Sequence, residues 1–457
     1  MAVNGPTGGP VLPAHPDPWL EDVLRGPLPH ELAYAFGGPY HLLLPHRFDR
    51  NTAAFEAALD EAGVTGQVHY AKKANKAAVW IERCAAHGIG VDVASAGELR
   101  ETLAHGVRGE DVVVTGPAKD GELLRVAVLQ GCLVTVDAPD ELERVITVAG
   151  GTRPVRVLLR RLPPGQPDSR FGLDDAELGT ALRRCRDARD TVRLEGFSFH
   201  LAGYEAGPRA ALAHELIEWC RRARASGHPA DRISIGGGFA VDYVDAADWE
   251  RFTRAQRPTD YHAGRSFTTA DFYPYHSPLA GADMLRAVLA ARPAGGGATL
   301  AARLRGAGVR LLLEPGRALL DRAGCTVFRV QGVKERDGYG ILTVNGTSLS
   351  LSEQWFGSEY LPDPVLLREP PGDTGGEEPF RACVGGATCL EPDLLTWRRI
   401  VLPHRPRPGD LLVYPNTAGY QMDSNESPFH DLPLPPKAVL EDAHGRVRWR
   451  LDRRTPC

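Results

Sequence analysis

The chain reads as an α/β protein, a TIM-like (β/α)8 barrel joined to a second, mainly β C-terminal domain. Three observations predict this. Between Gly66 and Gly316 lie eight short apolar or β-branched runs, the number at which a parallel barrel closes. Most are separated by stretches with helical spacing, such as Val79, Cys84 and His87, or Leu212, Leu216, Ile217 and Cys220. From Arg317 onward the helical alternation stops and short strand-like runs alternate with Pro and Gly clusters. A doubly wound open sheet competes for the same pattern, but it usually carries a GxGxxG turn after its first strand, and none is present.

In chain order, residues 5–18 are rich in proline and glycine and lack both a basic n-region and an apolar h-region. They read as a flexible lead-in with no export signal. Residues 40–44 form an apolar run ahead of the first barrel unit, so residues 1–46 are assigned as a segment contributing to the β domain. Residues 47–318 form the barrel, with strands at 68–73, 91–95, 112–116, 132–137, 155–160, 194–200, 233–236 and 309–314. Residues 245–277 are long for a βα loop and carry Trp249, Phe252, Tyr261, Phe267, Phe272, Tyr273 and Tyr275. They read equally as a functional cover, over the active site or as an interface flap, or as packing on the barrel rim. Residues 319–457 form the β domain, with strands at 326–331, 340–344 and 410–413, and 369–379 read as an acidic, glycine-rich solvated loop.

Composition narrows the function. With 457 residues, 43% hydrophobic and 24% charged, the chain can bury a large core. Its formal net charge of -5 and the lack of a basic block interleaved with aromatics exclude a nucleic-acid footprint. No apolar run reaches membrane-spanning length. The eight cysteines are scattered, with no CxxC pair and no histidine spacing for zinc, which predicts no metal and a reduced, cytoplasmic setting.

The chemistry-bearing residues gather at strand ends. Lys73 closes the first barrel run within Tyr70-Ala71-Lys72-Lys73-Ala74-Asn75, where a lysine entering a turn can hold an aldehyde cofactor as an imine. Taken alone it would be a surface lysine. Arg160, His200, Gly236 and Glu314 also fall at or just after strand carboxyl ends, the reactive face of such a barrel. With Gly236-Gly237-Gly238, Glu314-Pro315-Gly316-Arg317 and Cys389 they outline a pyridoxal phosphate site.

The motifs YAKKAN, DVASAGEL, VLLR, SRFGL, FSFHLAG, ISIGGGF, EPGR, GGATC and TAGY follow one another over nearly the whole chain. In that order they resemble the fold-type III pyridoxal phosphate decarboxylases, the alanine racemase-like group containing diaminopimelate, ornithine and arginine decarboxylases. The resemblance implies that Lys73 is the Schiff-base lysine and that Lys72 points to the other side of the strand. Glu314 would hold the ring nitrogen protonated, favouring decarboxylation over the racemisation of relatives that place arginine there. It further implies phosphate contacts from Gly236, Gly237, Gly238, Gly316, Arg317 and Tyr420, and a ring contact from His200. Asp92 and Glu98 would line the pocket and Arg160 would organise the carboxylates. Cys389 would reprotonate the α-carbon in the other subunit of a homodimer with shared active sites.

The expected partner is a small amino-acid substrate, released as an amine and carbon dioxide. A racemase or epimerase, and a non-catalytic relative like the antizyme inhibitors, remain alternatives at this point. The chain departs from the family at Leu390, where an acidic residue is expected, although Asp393 keeps its place. Residues 345–356 lack the expected arginine, and the phosphate-binding serine after His200 is replaced near Gly203. Residues 421–430 are unlike the usual ending. A divergent specificity follows, with Gln354, Asp393, Asp423, Glu426 and His430 as the substrate contacts.

Overall fold

A computed structural model describes residues 11–150, 153–351, 360–368 and 377–452. After β1 (Tyr40–Leu43), eight strands close a parallel barrel: β2 (Gly66–Ala71), β3 (Gly90–Val93), β4 (Val112–Val114), β5 (Leu133–Val136), β6 (Val155–Arg161), β7 (Val192–Phe199), β8 (Arg232–Ser234) and β9 (Arg310–Leu313). Closure is made by β2 against β9, in the register Gly66 to Leu311 and Val68 to Leu313. Every apolar run read from the sequence forms one of these strands.

Seven of the eight strands end one or two residues earlier than the runs suggest, while β6 runs one residue further, to Arg161. Ser95 caps the helix Ala96–Ala104 by accepting from Glu98 N, so it leaves β3. Lys72, Lys73 and Ala74 form a 3-10 turn beyond β2. Alternation within the strands separates two apolar sets: Val112 and Val114 join the large core shared with the helices, while Val113 packs with Leu133, Leu158 and Leu312 in the barrel interior.

A second sheet contains β10 (Gly324–Arg336), β11 (Tyr339–Val344), β12 (Val365–Leu367), β13 (Phe380–Gly385), β14 (Leu394–Leu402), β15 (Leu411–Tyr414), β16 (Lys437–Asp442) and β17 (Val447–Leu451). Its order is β14-β13-β11-β10-β1-β16-β17, with β15 pairing β10 and β12. The early strand β1 runs antiparallel to β10 and parallel to β16. The sheet is thus built from both sides of the barrel sequence.

Residues 245–277 pack inward. Phe252, Tyr261, Phe272, Tyr273 and Tyr275 are all buried, and Tyr261 bridges to Arg398 of β14. Aromatic rings bury large apolar area at low entropic cost, which lets this long connection hold a fixed shape. Of its two sequence readings the structure favours packing. Among the described residues no helix is long and apolar enough to cross a membrane, and no group of His, Cys, Asp or Glu is placed to hold a metal ion.

Asp423 is fully buried and pairs with Lys437 of β16. It also accepts the Lys76 N–H at 2.9 Å. Burial would raise its pKa, but Lys437 and the Lys76 contacts outweigh that and hold it below the usual aspartate value. Removing one partner of a buried pair leaves an uncompensated charge, so Lys437→Met is expected to destabilise the fold by roughly 3 kcal/mol. Urea unfolding of the two proteins at neutral pH measures the difference.

Candidate active site

The turn after β2 separates its two lysines. Lys72 is buried and paired with Glu101 at 2.7 Å, while Lys73 opens into the barrel mouth with its side chain 51% exposed. The turn is held from below and from the second sheet. Tyr70 donates to Asn75 O at 2.9 Å, and its ring packs edge-on against Phe48, which stacks on Trp80. Asn75 Nδ2 donates to Ala418 O, and Tyr420 N donates to Ala74 O. Tyr420 takes a φ of +75°, unusual for a side chain of its size, which marks local strain at this contact.

Asp92, at the end of β3, is buried with Oδ2 4.0 Å from Lys73 Nζ, and it accepts from Thr115 Oγ1 at 2.6 Å. Glu314 follows β9 and accepts from Ser234 Oγ at 2.6 Å. Burial, then the neighbouring Asp92, push the Glu314 pKa up to about 7. Burial alone would depress the Lys73 ammonium, but Asp92, Tyr420 and Glu314 outweigh it and hold its pKa above the ordinary lysine value. Arg160 is buried, pairs with Asp137 at 3.1 Å, and lies 5.2 Å from the Phe171 ring.

His200, just past β7, is exposed and sits edge-on to Phe171 at 5.7 Å between centroids. Burial of the imidazole within the mouth, followed by Lys73 and Arg160, lowers its pKa to about 4, so it is neutral at pH 7. Lys73, Asp92, Arg160, His200 and Glu314 thus share one electrostatic neighbourhood.

The glycine turn after β8 departs from expectation in one donor. Gly236 N is taken by Ser234 Oγ at 3.2 Å, whereas the half-buried Gly237 and Gly238 donate to no acceptor in the described protein. At Gly237 a Cβ would come 2.6 Å from Glu314 O, which excludes any side chain. Gly316 faces Ala74 and Tyr420, where a Cβ would approach both at 3.0 Å. Arg317 is buried with its guanidinium 3.8 Å from the Tyr273 ring centroid and 5.0 Å from that of Tyr420, and it donates to Tyr243 Oη at 3.3 Å.

Other sequence expectations resolve differently. Glu98 accepts the Ala94 N–H at 2.8 Å and so serves as a helix cap. Asp393 is committed within its loop: Oδ1 accepts from Ser348 N, and Oδ2 from Thr388 N and Oγ1. Asp423, expected at the substrate, is corrected to a buried ion pair, because Lys437 and Lys76 draw it inward and leave it no exposed surface. Glu426 pairs with Lys76 at 3.3 Å. Gln354 lies outside the described residues.

Cys389 is exposed beside Leu390, itself 49% exposed, and its Sγ is 3.2 Å from Nε2 of His430. Reading the sequence missed this pairing, since 41 residues separate the two. It also missed Ser234, Thr115 and Arg209. Ser234 had a signal, since it stands two residues before the glycine triplet.

An open lysine, a buried carboxylate pair, an arginine clamped between tyrosine rings and two unclaimed amide donors at adjacent strand ends define a barrel enzyme built for an anionic aldehyde cofactor. Residues 46–266 match the family described as "Pyridoxal-dependent decarboxylase, pyridoxal binding domain". An uncharacterized protein of Sinorhizobium fredii is 38% identical, over 92% of each chain. A diaminopimelate decarboxylase of Actinosynnema pretiosum is 30% identical, over 94% of this chain and 90% of the relative. The solved diaminopimelate decarboxylase from M. jannaschii in complex with L-lysine shares the fold, with a TM-score of 0.71 at 18% identity over 92% of this chain and 90% of that one. The chain belongs to the pyridoxal-dependent decarboxylase family; its cofactor is pyridoxal phosphate and it is an amino-acid carboxy-lyase.

Proposed function

We propose that the enzyme decarboxylates an amino acid other than diaminopimelate, one whose far end is recognised without a paired acidic residue and arginine. The observation that carries this reading is Leu390, which presents an exposed apolar side chain next to Cys389 while both oxygens of Asp393 are engaged in the loop. Phe429, 40% exposed, extends the apolar character beside His430. The substrate's far end would meet these residues. Incubation with diaminopimelate and with a panel of amino acids, scored by carbon dioxide release, tests the reading. Efficient formation of lysine from diaminopimelate would sink it.

When bound, pyridoxal phosphate supplies an aldehyde and an electron-withdrawing ring that takes up the electron pair left as carbon dioxide departs. Lys73 is the residue to hold that aldehyde, and Asp92 stands 4.0 Å away to take and return the lysine proton. Glu314 would hold the ring nitrogen, and neutral His200 would offer its ring as a stacking surface without adding charge. Gly237, Gly238, Gly316, Arg317 and Tyr420 form the phosphate end.

Cys389 donates a proton to the α-carbon across the interface of a homodimer, and His430 is the group in contact with that thiol. The exposed apolar side chains around Cys389 are consistent with a face covered by a second copy. Cys389→Ala is expected to lower kcat by about 10²-fold with little change in KM, since it removes a group that acts in the transition state. Steady-state kinetics on the preferred substrate read this. The seven described cysteines are all free thiols, which supports a reducing, cytoplasmic setting.

A further inference from the structure

Arg209 lies in the first turn of the helix Ala206–Ala225, which follows His200, and it is fully buried. No carboxylate of the described residues pairs with it. Its hydrogen bonds go to main-chain carbonyls: Nη1 donates to Ile235 O at 2.7 Å, and Nη2 reaches Gly203 O at 3.3 Å and Gly238 O at 3.5 Å. Its Nε donates to nothing. Burial draws its pKa down to about 10, still far above neutrality, so the charge persists.

A buried cation without a counter-charge is unfavourable, and folds retain one where an anion completes it. The surroundings identify that anion. Arg209 grips the carbonyls on either side of the glycine turn, Ile235 and Gly238, and the loop carbonyl of Gly203. The Gly237 and Gly238 amides meanwhile have no acceptor of their own. Two unsatisfied N–H groups in a glycine turn form an anion cradle, and the N-terminal end of the same helix carries positive potential. Gly238 takes a φ of +76°, which favours glycine, and a Cβ there would stand 2.5 Å from Nη2.

We infer that Arg209 is a positioning residue for a phosphate monoester: it fixes the carbonyls of the glycine turn and supplies the buried counter-charge for the dianion held at Gly237 and Gly238. The inference rests on the reading of that turn as the phosphate end of the cofactor site.

The test compares pyridoxal phosphate with pyridoxal, which has the same aldehyde and ring but no phosphate. Both are titrated into cofactor-stripped wild type, Arg209→Gln and Arg209→Lys, following the absorption of the lysine-linked ring. Inorganic phosphate is added separately while melting temperature is recorded. In Arg209→Gln the Kd for pyridoxal phosphate rises by at least ~10-fold and that for pyridoxal by less than about twofold. Millimolar phosphate raises the melting temperature of wild type and leaves that of the variant unchanged.

Equal weakening of both compounds, or equal protection of both proteins by phosphate, overturns the inference in favour of a purely structural arginine. Should Arg209→Gln not fold, Arg209→Lys carries the comparison, since a lysine cannot grip several carbonyls at once. A reduced preference for the phosphorylated compound supports the proposal and an unchanged preference overturns it. A wild type that shows neither preference nor phosphate protection fails the glycine-turn reading itself, and the inference with it.

Discussion

Lys73→Ala yields a colourless protein. The variant is expected to lack the absorption band of a lysine-linked cofactor, to escape covalent trapping by borohydride, and to lose at least ~10³-fold in kcat, about 4 kcal/mol of transition-state stabilisation. The fold should survive, because Lys73 is the exposed member of its lysine pair and Lys72 keeps its bond to Glu101. Removing Lys73 also deprives Glu314 of a compensating charge, so the variant should bind a proton more tightly at that carboxylate. Spectra, mass of the trapped peptide and turnover provide three separate readings. A yellow, trappable Lys73→Ala protein would refute the assignment.

Glu314→Gln separates stability from activity. In the protein without cofactor the Glu314 pKa is about 7, above its ordinary 4.5, chiefly through burial and then Asp92. A carboxyl shifted upward favours the folded state below about pH 4.5, and that contribution disappears as pH rises through about 7. At pH 8 the ionised, buried Glu314 therefore weighs against folding by up to roughly 3 kcal/mol. Glutamine keeps the shape and cannot ionise, so the cofactor-free variant should be the more stable protein at pH 8 and lose that advantage near pH 5. Turnover should move the other way, down by roughly 10²-fold or more, because the anion proposed to balance a protonated ring nitrogen would be gone. Denaturant midpoints at the two pH values and kcat of the loaded enzymes test both halves.

The barrel was legible in the sequence because each strand is a short apolar run and each intervening helix buries residues such as Leu212, Leu216, Ile217 and Cys220 at helical spacing. Strand ends were less legible, since a residue such as Ser95 can extend a strand or cap a helix, and the choice is made by the amide three residues on. The meeting of Lys73, Asp92, His200 and Glu314 was visible because fold geometry alone brings strand ends together. Asp423 misled for a physical reason: its polar neighbours read as exposed, and only the pairing of β1 with β16 sets Lys437 where it can draw the carboxylate inward. Arg209 left no trace, because a lone arginine among alanines acquires its role only when the helix docks against the glycine turn.

The segment following Lys73 is tied to residues that are translated late. Asn75 holds Ala418 O, Lys76 N–H meets Asp423, and the helix Ala78–His87, whose N-cap Ala77 offers no side-chain acceptor, has Asp452 instead accepting from Ala78 N at 2.9 Å and Val79 N at 2.8 Å. The first of these last two bonds spans 374 residues of chain. On the ribosome the eight barrel strands emerge well before that aspartate, so they can associate while the reactive lysine's turn still lacks its final restraints. A nascent barrel released early would therefore be a folded shell with an unlatched lysine.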